Sequence, residues 1–404
     1  MKSNRVLNYL FVVFLIIFFW RTVAFWYNSR YIDGQGNGGV LLYAALAGVE
    51  MVSLCMIVLA PKYRHQDNRI VNLCFLWEIL MIVVLIFNGT AFSQWFKCLA
   101  WPLFFQASYL FIRQDIHLIE FFQKPFYVLS FMGGIYMVLA LKLKDLESQT
   151  NMVYFFLLTI PAVLLTSNKK WSYYILIFAT FAAFISMKRS VILSFILFWG
   201  IMGGKFLFDK GKQKMAIILI VIGGLAVYGS FKIADNLSGG HLSLRTVDYQ
   251  KEDITNGRGT IYLETIDMIT RTSPMHLILG NGHNAVLRNS PLEKSAHNEF
   301  LEIIYDYGII MLLMYLCFWV YVLRQWHYHY KNNTIYFVPY TLSVCLFAVM
   351  AMVSQLVLYC SYFLYLVMFW GMTAALRDNQ EKKDRLSEGD NKQKAINNEN
   401  RYNS

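Results

Sequence analysis

Long apolar runs separated by short basic clusters constrain this chain more than any other feature. At roughly 20 apolar residues per membrane crossing, they give about twelve candidate spans. These are 7–26, 40–60, 70–88, 95–112, 126–143, 152–168, 171–187, 190–208, 215–234, 299–323, 335–353 and 356–376. Hydrophobic residues make up 57% of the 404 and charged residues only 15%, where a soluble domain carries about a quarter charged. Only a bilayer accommodates so much apolar surface, and in a bilayer only helices or closed barrels satisfy the backbone. The runs are continuous rather than alternating, which selects helices. The expected fold is an all-α polytopic membrane protein with about 12 transmembrane helices. Lys2 and Arg5 precede a first run that continues through Trp20 without a small-residue cleavage site, so it reads as an uncleaved span.

The formal charge of +11 does not point to nucleic acid, because the basic residues cap the apolar runs. With the N-terminus inside, cytoplasmic caps contain Lys2/Arg5, Lys62/Arg64/Arg69, Arg113/Lys124, Lys169/Lys170, Lys205/Lys210/Lys212/Lys214, Arg324/Lys331 and the tail from Arg377. Both termini are then cytoplasmic. Lys188-Arg189, at an outer turn, breaks the pattern; it is either an ordinary interfacial pair, the mark of a miscounted span, or a functional pair. None of the six cysteines has CxxC spacing, which supports neither a disulfide framework nor a zinc site. The organisation is nine helices over 1–234, a long extracytoplasmic loop over 235–298, three helices over 299–376 and a polar, disordered tail over 377–404.

The loop holds four histidines (His241, His276, His283, His297) and four arginines (Arg245, Arg258, Arg271, Arg288). After an irregular Gly-rich opening, Ile261, Tyr262, Ile266 and Ile269 recur at helical spacing, which predicts a short amphipathic helix ended by Pro274. Such a helix commonly just rests on the membrane or on the bundle. Leu279-Gly280-Asn281-Gly282-His283 reads as a tight turn that brings backbone close to a neighbour. Ser295-Ala296-His297-Asn298-Glu299 leads into the tenth span, with Ser295 or Asn298 as its cap. His297 at a helix N-terminus is disfavoured as the cation, so it is either a neutral proton acceptor or an inert capping residue. Glu302 and Asp306 pair with loop arginines or orient His297.

Four segments carry a resemblance: Gly257-Arg258-Gly259-Thr260-Ile261-Tyr262; Leu279-Gly280-Asn281-Gly282-His283; Ala296-His297-Asn298-Glu299-Phe300-Leu301-Glu302; and Tyr307-Gly308-Ile309-Ile310. In that order, with Lys188-Arg189-Ser190 before them, they resemble the O-antigen ligase/polymerase family, which includes Wzy-type polysaccharide polymerases. Ile310-Met311 stands where many members have a second glycine, which bears on helix packing. The resemblance implies an inverting, metal-independent glycosyltransferase of C-type architecture with no cofactor. The donor and acceptor would be glycans on undecaprenyl diphosphate, at the outer face of the bacterial cytoplasmic membrane. The implied roles are His297 and Arg258 in catalysis, with Arg189, Arg258 and Lys188 on the diphosphate. Asn298, Glu299, Gly280 and Gly282 would support them. His241, His276 and His283 receive none. Implied partners are a chain-length regulator and a flippase. Polymerase is the leading expectation. A ligase acting on lipid A core or protein is the first alternative, and a transporter or flippase of lipid-linked oligosaccharide the second. Ionisable residues gathered in one loop, without duplicated halves, favour an enzyme over a transporter.

Overall fold

The computed structural model describes residues 69–142, 146–165, 169–186, 188–208, 258–354 and 362–381, with 12–20 and isolated positions elsewhere. Apart from isolated positions, the expected spans at 40–60 and 215–234 lie outside the described residues. So do 237–257, with His241 and Arg245, and the tail from 382. Among the described residues the regular structure is helical throughout. The elements are α1 (Arg69–Phe87), α2 (Phe92–Gln114), α3 (Leu118–Lys142), α4 (Leu146–Val163), α5 (Lys169–Ile185) and α6 (Arg189–Phe208). Then come α7 (Arg258–Thr270), α8 (Pro274–Leu279), α9 (Ala285–Asn289), α10 (Glu299–Lys331) and α11 (Phe337–Val353). A last helix, α12, runs over 362–381.

Three of these helices, Ile70–Phe87, Arg189–Phe208 and Glu299–Lys331, are long and apolar enough to cross a membrane, and Trp171–Phe184 and Phe337–Val353 are shorter apolar helices. Their outward faces are apolar as well: Ile79, Val83 and Ile86 on α1, Leu193 and Ile196 on α6, and Leu313 and Val320 on α10 are exposed. Such surface is stable against lipid, not water. Aromatic rings pack against one another in the interior. Trp101 packs 4.8 Å from Phe318, and Trp319 stacks on Phe347 at 4.2 Å. Within it the buried Gln106 amide donates to Glu78 Oε1 at 2.6 Å, joining α1 to α2 as a buried polar pair among apolar neighbours.

Two elements differ from the sequence-based expectation. The amphipathic helix ends at Thr270, and Pro274 opens α8 instead of ending α7, with Ser273 as the cap that accepts from His276 N–H. Proline suits a first helical position because its missing N–H would have no partner there anyway. The expected span 299–323 is interrupted: Gly308, at φ 84° and ψ 174°, divides α10 into an outer piece and a long inner one.

Candidate functional site

The break at Gly308 organises the loop. An interrupted helix leaves carbonyls without their intrahelical partners, and these must be satisfied elsewhere. Here the Gly-Asn-Gly turn supplies the donors. Asn281 N–H reaches Tyr305 O at 3.0 Å, and Gly282 N–H reaches Asp306 O at 2.9 Å. The Asn281 amide adds a second bond to Tyr305 O at 3.0 Å. Glycine is required on both sides of the contact. A Cβ on Gly308 would lie 2.1 Å from Ile278 O, and one on Gly280 would lie 2.2 Å from Asp306 O. Asn88, in the turn after α1, donates to Leu279 O at 3.1 Å and ties the same turn to the bundle.

The two carboxyl groups of the outer piece of α10 bind loop backbone. Asp306, fully buried, accepts from Val286 N–H at 2.9 Å and so caps α9, whose own N-cap residue Asn284 contributes no side-chain bond. Glu302, 2% exposed, accepts from Ala296 N–H at 2.6 Å. Between this bond and the helix start, His297 sits at φ 50°, in the left-handed region. That conformation costs a non-glycine residue roughly 1–2 kcal/mol. The bond from Ala296 N–H to Glu302, contributing about 0.5–1.5 kcal/mol, offsets part of it.

Asn298 caps α10, its Oδ1 accepting from Phe300 N–H at 3.1 Å and Leu301 N–H at 3.2 Å. Its amide donates to Met352 O, 3.2 Å away at the end of α11. The Tyr262 hydroxyl, from α7, donates to Met352 O at 3.1 Å and lies 3.4 Å from His297 O. The chain around His297 is therefore held by α7, α10 and α11 together. Glu299 is buried and accepts from Tyr315 OH at 2.9 Å, so it faces the helix interior.

Three cations bear on this histidine. Burial, and then the charges of Arg258, Lys294 and Lys188, hold the His297 imidazole below its usual pKa of 6.5. Sequence reasoning attributed a neutral ring to the helix terminus; burial and cationic neighbours are the causes found here. Lys188 is itself lowered to about 8, by burial first and Arg258 second. Its ammonium lies 4.4 Å over the Tyr154 ring, and Tyr154 OH contacts Ser190 Oγ at 2.5 Å. Thus Lys188 (the turn before α6), Arg258 (the start of α7) and His297 (before α10) converge. Arg189 is exposed at the start of α6.

The remaining loop residues do other work. His283 is buried, its Nδ1 2.6 Å from Tyr307 OH and 3.6 Å from Cys98 Sγ; burial, with Lys97 and Arg288 nearby, lowers it to about 4. Arg288 donates to His283 O at 2.5 Å and to Asn281 O at 3.5 Å, fastening the Gly-Asn-Gly turn. His276 Nδ1 contacts Gly280 O at 2.9 Å. Tyr154, Tyr262 and the Met352 carbonyl escaped the sequence reading. Tyr262 stands in the matching segment and could have been found there, whereas a backbone carbonyl leaves no signal. Among the described residues no three His, Cys, Asp or Glu side chains are placed to hold a metal ion.

A half-buried imidazole held neutral near these cations can take a proton from a hydroxyl while the cations bind a departing anion. The comparisons with curated proteins and with solved structures found no match. Residues 174–316, from the second residue past Trp171-Ser172 in α5 into the inner piece of α10, match the family model described as O-antigen ligase. Over residues 174–316 the chain is thus similar to the O-antigen ligase family.

Proposed function

We propose that this protein polymerises undecaprenyl-diphosphate-linked oligosaccharide repeat units at the outer face of the bacterial cytoplasmic membrane. The family consists of glycosyltransferase-like enzymes, and the observation that supports this reading is the neutral His297 beside Lys188 and Arg258. The imidazole of His297 removes the proton of the acceptor hydroxyl as that oxygen attacks the anomeric carbon. The anomeric carbon–oxygen bond to the diphosphate breaks, and the lipid diphosphate leaves with both electrons of that bond. Attack opposite the leaving group inverts the centre. Arg258 and Lys188 bind the charge gathering on the diphosphate oxygens, and Arg189 meets the headgroup from the exposed end of α6. A twelve-span chain with both termini in the cytoplasm puts the loop beside its substrate. A flippase delivers repeat units to that face, and a chain-length regulator acts on the product there.

A ligase, moving a lipid-linked glycan to lipid A core or protein, is the second reading. The match to a family described as O-antigen ligase fits either reading. One assay separates the two. Purified protein in proteoliposomes is given a lipid-diphosphate-linked repeat unit alone, or with lipid A core. A ladder of lengths from the repeat unit alone supports polymerisation; a product only with the core acceptor supports ligation. With His297→Ala the ladder is expected to fall by about 10²–10⁴-fold, the range of a lost general base. An undiminished ladder in that variant rules out the assignment of His297.

A further inference from the structure

We propose that Glu302 is a positioning residue that sets the conformation of His297; the inference rests on the reading of His297 as the base. Glu302 comes one turn into α10, too late for an ordinary capping box, in which a side chain at the third helical residue reaches back to the cap. Asn298 already serves as the cap of this helix and fills the first-turn donors. Glu302 instead reaches back past the cap and past His297, taking Ala296 N–H at 2.6 Å. Its carboxyl is 2% exposed, so water does not compete for this bond.

The consequence falls on one torsion. A carboxyl bound to Ala296 N–H holds the peptide before His297, and His297 reaches the helix start from it at φ 50°. The residue after it is fixed by its own bonds, Asn298 to Met352 O and to the helix start. With both neighbours pinned, the direction of the His297 Cα–Cβ bond is set by Glu302 on one side and Asn298 on the other. Asp306, one turn further, performs the parallel task for a second loop segment through Val286 N–H. Glu302 therefore acts through its acceptor oxygen, and a neutral amide retains that oxygen while a shorter or apolar side chain does not.

The test compares Glu302→Gln, Glu302→Ala and Glu302→Asp in the proteoliposome assay. Glu302→Gln is expected to stay near the wild-type kcat. Glu302→Ala and Glu302→Asp are expected to lose about 10²-fold in kcat, the scale of a catalytic group displaced by about an ångström, with KM unchanged. An activity-independent arm places a thiol at the histidine. His297→Cys is labelled by an impermeant thiol reagent, alone and combined with each Glu302 change, with the wild-type protein as the blank. The labelling rate is expected to shift with Glu302→Ala and Glu302→Asp and to hold with Glu302→Gln. Equal labelling rates in all four backgrounds, or wild-type kcat in Glu302→Ala, overturn the proposal. If the wild-type protein forms no ladder, the polymerase reading fails, and the labelling arm still decides whether Glu302 sets this position.

Discussion

At Arg258 the shape of the side chain matters as much as its charge. A guanidinium presents a planar fork that matches two phosphate oxygens, whereas an ammonium is a point charge with no such geometry. Arg258→Lys keeps the charge felt at His297 and at Lys188 and removes the fork. The variant is expected to lose about 10- to 100-fold in kcat/KM, equivalent to one charge-assisted hydrogen bond, when ladder formation is timed. Wild-type kinetics in Arg258→Lys would mean that Arg258 contributes only electrostatics. Of the Lys188-Arg189 pair, the sequence singled out both. Only the fold distinguishes them, because Lys188 lies under the influence of Arg258 beside the Tyr154 ring while Arg189 is exposed.

The outer piece of α10 is a template on which α7, α8 and α9 are folded, and its glycines hold the assembly together. Gly308→Ala is expected to disrupt it, since the new methyl would meet Ile278 O at 2.1 Å and φ 84° is strained for alanine. Gly200→Ala in α6 has nothing within 4 Å and serves as the control. Limited proteolysis of the loop should show faster cleavage in the first variant and no change in the second. His283 gives the same assembly a pH dependence. Its folded pKa of about 4 lies below the ordinary 6.5, so the unfolded loop binds more protons. The stabilisation is therefore complete above pH 6.5 and drains away as pH falls toward 4, by about 3 kcal/mol in all. Proteolysis of the wild-type loop should accelerate across that interval, and His283→Gln should flatten the response. An identical acid response in that variant would assign it to another group. The presence of a Gly-bracketed turn and a Gly in α10 was legible in the chain. That the two glycines face each other, at Gly280 and Gly308, was not, because 27 intervening residues must fold before they meet.

Across the whole molecule, the contacts sort the helix ends into two sets. Asn88, Lys188 and Met352 gather at the loop, through hydrogen bonds to Leu279 and Asn298 and through the charge of Arg258. At other helix ends, Arg113 donates to Asn379 at 2.9 Å, Arg377 to Gln325 at 3.1 Å, and Lys205 sits 3.8 Å over the Phe337 ring. In the topology proposed above, alternating passage through a bilayer produces such sorting, with the second set on the cytoplasmic side. A thiol placed at the exposed Leu292 should therefore react with an impermeant reagent added to intact cells. Labelling of Leu292→Cys only after lysis would reverse the orientation.

The sequence by itself determined a helical membrane protein with one long loop, and it named Arg258, His297 and the Gly-Asn-Gly turn. Apolar runs, basic caps and short ordered motifs are local along the chain and need no folding to be read. Tertiary structure decided what Glu302 and Asp306 do. The sequence offered them loop arginines or His297 as partners, and the fold gives them backbone N–H groups at Ala296 and Val286. It also decided that Lys188, Arg258 and His297 share one neighbourhood, and that α10 breaks at Gly308 to receive a turn. Each of these depends on distances between segments far apart in the chain. Such distances are settled only when buried donors and acceptors from separate elements must find one another in the absence of water.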